Sequence, residues 1–133
     1  MEKRGKLFME NLTVEEKLQS VEAFKSIIRK SEKALSHMKT GAPQTRLLEK
    51  RIKAAQIGVD TLLARWEGQK LDVSKTDLIN AKKELEDLLL TLPSFLEKSK
   101  AGSGQRTYIT RRINAFKVAV FYMDDLIEKF EQE

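Results

Sequence analysis

The chain has 133 residues, enough for one domain with its own core and too few for several. It contains no cysteine, which excludes a disulfide scaffold, a thiolate metal site and a cysteine nucleophile, and which suits a reducing compartment. Two prolines and six glycines leave room for long helices, and a net charge of +5 permits anionic partners without requiring them.

Residues 1–12 read as an N-terminal extension. The opening MEKRGKLFMENL is basic, but no apolar run of signal-peptide length follows it. Leu7, Phe8 and Leu12 within it are suited to closing one end of a helical bundle. From Thr13 the pattern becomes helical. Thr13 followed by Glu16 has the form of a capping box, and Leu18, Val21, Phe24, Ile28, Leu35 and Met38 recur at helical spacing, which predicts a helix over roughly 13–39.

Gly41 to Pro43 breaks that helix, and a second begins near Gln44. Its apolar residues Leu48, Ile52, Ala55, Val59, Leu62 and Trp66 step by four and three, so they form one stripe that other helices must cover. Gly68 and the polar run to Asp72 end it at about residue 67. A third helix over 75–99 opens on Ser74 and Asp77 and carries Leu78, Leu85, Leu88, Leu92, Phe95 and Leu96. Pro93 lies inside it and predicts a kink, or a split near Leu89 to Thr91, because proline removes a backbone hydrogen bond. After Gly102 to Gly104 a fourth helix covers 105–131, with Ile109, Ile113, Phe116, Val120, Met123 and Ile127 as its stripe.

The second half repeats the first. Gly41 and Gly102 stand 61 positions apart (102 − 41), and the same shift relates Lys39 to Lys100, Gln44 to Gln105, Arg51 to Arg112, Ile52 to Ile113, Ala54 to Ala115 and Val59 to Val120. It also relates Thr13 to Ser74 and Glu16 to Asp77, so both copies open with capping residues. The expectation is an all-α fold: an up-down-up-down antiparallel four-helix bundle made from a tandem duplicated helical hairpin. It forms a single domain over 13–133, with repeat 1 at 13–68 and repeat 2 at 74–131. Short connections make sequential helices antiparallel neighbours.

Charge follows the repeat. No acid occurs from Lys98 to Met123, and from His37 to Val59 the only one is Glu49. Acids gather instead at Glu15, Glu16, Glu67, Asp72, Asp124, Asp125 and Glu128. The bundle topology therefore predicts a basic pole and an acidic pole. The second and fourth helices begin with basic residues, against the preference of the helix dipole. That mismatch points to an anion site at the glycine turns and the helix starts that follow them. Its candidate residues are Lys39, Gln44, Arg46, Lys50, Arg51, Lys100, Gln105, Arg106, Arg111 and Arg112. Solvated surface charge is the ordinary alternative, and neither turn has the Walker pattern.

Catalytic and cofactor chemistry is not indicated. His37 is the single histidine, so a two-histidine metal site and the Glu-x-x-His pair of a di-iron bundle are both excluded. No catalytic, cofactor-binding or metal residue is expected, and no stretch is long enough to enter a bilayer. Phe121 and Tyr122 widen the apolar face of the last helix and suggest a flank for self-association. The expected function is a non-enzymatic, cytoplasmic interaction or regulatory module that binds a protein partner or another copy of itself. The alternative is binding of nucleic acid or another polyanion through the basic end.

Overall fold

A computed structural model describes residues 11–39 and 41–132. These form four α-helices, α1 (Val14–Ser36), α2 (Pro43–Glu67), α3 (Lys75–Lys98) and α4 (Gly104–Gln132), and no strand occurs among the described residues. Leu7 and Phe8 lie outside that range; Leu12 is buried against the core.

Local chemistry sets the helix ends. The Thr13 hydroxyl accepts from the Glu16 backbone N–H at 3.1 Å, and the Glu16 carboxylate accepts from the Thr13 N–H at 2.9 Å, a complete capping box. Ser74 caps α3 in the same way, accepting from the Asp77 N–H at 3.1 Å, but the Asp77 carboxylate takes Lys53 of α2 instead. α1 ends at Ser36, a turn earlier than its pattern predicts, with the His37 and Met38 N–H groups donating to the Ala34 and Leu35 carbonyls. Both glycine turns use the left-handed backbone, with φ of 87° at Gly41 and 78° at Gly102, which other residues reach only at a cost.

α3 runs unbroken through Pro93, so the expected split does not occur. The proline stands near the end of the helix with its ring exposed to solvent. The hydroxyls of Thr91 and Ser94 donate to the carbonyls of Leu88 and Thr91, at 3.0 and 2.8 Å, adding bonds to a stretch where the ladder has lost one.

The core lies between all four helices. Phe24, Leu62, Leu78, Leu85, Phe116 and Met123 are almost wholly buried. α1 packs on α2 and α4, α3 packs on the same two, and α2 also touches α4. Phe24 and Phe116 meet at 5.4 Å between ring centroids. Phe24 also lies directly over Gly58, where a β-carbon would stand 2.6 Å from its ring. Trp66 meets Tyr122 edge-on at 6.0 Å and donates its indole N–H to the tyrosine oxygen at 3.0 Å.

Three apolar assignments from the sequence need correction. Leu18 is 65% exposed, because α1 turns Ser20, Phe24, Ile27 and Ser31 inward and leaves Leu18 outside that stripe. Phe95 is half exposed rather than core. Tyr122 is buried and Phe121 packs partly against the core, so together they do not form an open flank.

A candidate anion-binding site

The helices bring two i,i+4 pairs face to face: Ser26 and Lys30 on α1, Tyr108 and Arg112 on α4. Residues four apart share one side of a helix, so each pair projects together. The Tyr108 oxygen is the meeting point. It lies 2.7 Å from the Ser26 hydroxyl, accepts from the Lys30 ammonium at 2.7 Å, and accepts from the Arg112 guanidinium at 2.6 Å. Either hydroxyl can donate in the Ser26 contact, and a Ser26 O–H turned toward the phenol oxygen acts with the two cations to favour the phenolate. The Lys30 nitrogen also stands 4.0 Å from the Tyr108 ring centre, and the Arg112 guanidinium carbon 4.8 Å from it. Burial pushes the Tyr108 phenol up, but the bonds from Lys30 and Ser26 and the charges of Arg112 and Lys30 together outweigh it. The phenol is held below its ordinary value.

Arg112 also faces a second cavity, of about 340 Å³, on whose wall Arg51 stands. The remaining walls are largely apolar, from Ile27, Leu88, Leu92, Phe95 and Phe116. Both arginines are half-buried. The Nε of each is shielded from solvent and has no hydrogen-bond acceptor. No other Arg51 nitrogen has an acceptor among the described residues.

The ten candidates from the sequence therefore separate. Arg51 and Arg112, 61 positions apart in the sequence (112 − 51), share one cavity. Arg111 is exposed and, with Arg112 and Tyr108, lines a neighbouring groove of about 260 Å³ beside Leu18. Arg106 serves the fold, because its guanidinium donates to the Leu96 carbonyl at 3.0 Å and so satisfies the end of α3. The N–H of Arg106 is itself taken by the Ser103 hydroxyl at 3.1 Å, so part of the α4 start is already occupied. Lys50 pairs with Glu84 at 3.5 Å. Lys39, Gln44, Arg46, Lys100 and Gln105 line neither cavity. Ser26, Lys30 and Tyr108 were not among the candidates. The only local sign of them is the spacing within each pair, which says nothing about the two pairs meeting.

Among the described residues no helix is long and apolar enough to cross a membrane, and no group of histidine and acidic side chains could hold a metal. No protein-family model, curated protein or solved structure matches the chain.

Proposed function

We propose that the chain is a non-enzymatic cytoplasmic interaction module that docks an acidic surface of a partner protein. Its frame is one up-down-up-down domain over 13–133, derived from a doubled helical hairpin. Ion pairs support that frame. Along α2 and α3, Lys53 meets Asp77 while Lys50 meets Glu84, so the two helices advance in opposite directions. Lys82 with Asp124 and Lys75 with Glu131 support the same relation between α3 and α4. Arg65 meets Asp125 across α2 and α4, and Arg51 shares its cavity with Arg112, as a two-fold relation between the halves requires.

The observation that carries the function is that most of the predicted site cations lack an acidic partner. Lys53, Arg65, Lys75 and Lys82 each have a carboxylate partner. Lys39, Arg46, Lys100 and Arg111 make no ion pair among the described residues, and Arg51 and Arg112 make none either. Cations left uncompensated attract acidic surfaces and speed their encounter. The exposed Leu47 and Leu90 give such a partner apolar surface to cover.

Fluorescence anisotropy tests the reading with a labelled polyglutamate peptide. Affinity is expected to fall at least about tenfold between roughly 50 and 300 mM salt. The double variant Arg46→Ala/Arg111→Ala should weaken binding at low salt. Absence of salt-sensitive binding rejects the proposal. The same unpaired arginines favour phosphate as a second reading, and an oligonucleotide that outcompetes the peptide at equal salt would put nucleic acid in its place. Sedimentation equilibrium separates both from self-association, which requires a mass that rises with concentration.

A further inference from the structure

We infer that the cavity holding Arg51 and Arg112 binds a small amphipathic anion, a carboxylate or phosphate head carried on an apolar chain or ring. Three observations converge on this ligand class. Arg51 and Arg112 come from different helices and stand 61 positions apart in the sequence, yet they face one space. Neither has a carboxylate partner: Arg51 has no acceptor at all among the described residues, and the one acceptor of Arg112 is a phenol already shared with Lys30. No lining residue is acidic, and Thr91 is the only neutral polar one.

Two half-buried guanidinium groups whose shielded Nε atoms find no protein acceptor are an unfavourable arrangement beside apolar walls. Desolvated charge is tolerable only when paired and hydrogen-bonded. An anion entering between them supplies what the protein omits, and arginine forks suit the planar or tetrahedral oxygens of carboxylate and phosphate. Ile27, Leu88, Leu92, Phe95 and Phe116 then exclude a bare inorganic ion as the preferred occupant, because they offer it nothing and reward an attached apolar group. A volume of about 340 Å³ falls within the size class of small-molecule sites, about 300–1,000 Å³. Phe95, 50% exposed, leaves one wall reachable from solvent.

Such a site is separate from docking by exposed cations, since Lys39, Arg46, Lys100 and Arg111 do not line this cavity. Isothermal titration tests it on the full chain with decanoate, decyl phosphate, inorganic phosphate and decanol, at about 0.3 M salt to screen exposed charge. One decyl anion is expected to bind per chain, about tenfold or more tighter than either inorganic phosphate or decanol. Tighter binding of decyl phosphate assigns a phosphate head and tighter binding of decanoate a carboxylate; either supports the site. Arg51→Met and Arg112→Met should each weaken binding about tenfold, while Arg46→Ala/Arg111→Ala leaves it unchanged. Phe95→Ala, at a half-exposed position that the core does not depend on, should weaken both decyl anions and leave inorganic phosphate unaffected. Should an arginine variant fail to fold, the Phe95→Ala result decides. The inference is overturned if neither decyl anion saturates, if decanol binds equally well, or if Phe95→Ala or the folded arginine variants bind like the parent.

Discussion

At the scale of single residues, Tyr108 concentrates the unusual electrostatics of this protein. Its oxygen is held by Lys30, Ser26 and Arg112, and its phenol is displaced below the ordinary tyrosine value of about 10. A depressed acid gives up its proton earlier in the folded state than in the unfolded state. Its contribution to stability is therefore fully present above the unfolded value, and it is lost as pH falls through the folded value. Subtracting the phenolate absorbance titration of Tyr108→Phe from that of the parent should isolate a phenol that ionises below free tyrosine. Between the folded value and about 10, the stability of the parent should rise with pH relative to the variant. A difference curve centred at or above the free value would contradict the geometry around the oxygen. None of this is visible from Tyr108 and Arg112 alone, because the decisive partners, Ser26 and Lys30, stand on another helix. The 61-residue spacing of Arg51 and Arg112 was legible in the sequence, but their shared cavity was not.

At the scale of elements, the signals that act within a few residues were legible, and those that depend on neighbouring helices were less so. Thr13 with Glu16 and Ser74 with Asp77 mark helix starts, because a cap needs only a hydroxyl and the N–H three residues ahead. Gly41 and Gly102 mark turns, because the left-handed backbone is a local requirement. Ser103 was missed as the cap of α4, although it meets the same rule. Leu18 and Phe95 were placed in the core because spacing defines a stripe without defining its edges, and the neighbouring helices decide which marginal residues they cover. Gly58 belongs to this scale too. Its missing side chain lets the Phe24 ring lie on the backbone of α2. Gly58→Ala gains about 0.5–1 kcal/mol of helix preference but forces a contact at 2.6 Å, where overpacking typically costs about 1–3 kcal/mol. The clash should win, so chemical denaturation is expected to show a destabilised variant. A variant as stable as the parent would mean that the ring moves aside freely.

For the whole molecule, the two halves share one interior. Phe24 of α1 reaches Phe116 of α4, Trp66 of α2 reaches Tyr122 of α4, and Lys50 and Lys53 of α2 reach Glu84 and Asp77 of α3. Each half alone would expose the faces that these contacts cover. The segment 1–70, expressed by itself, is expected to show little near-ultraviolet circular dichroism and no sharp thermal transition as a monomer; a cooperative monomeric half would show that the core is not shared. The amino-acid sequence by itself determined the helical class, the approximate helix limits, the turns and the uneven distribution of charge. All of these follow from propensity, capping and periodicity acting over short distances along the chain. Tertiary structure alone decided which cations find acids, which arginines face an apolar cavity and which phenol they surround. Those outcomes depend on residues distant in sequence becoming adjacent, and the energy of a charge is set by what stands beside it.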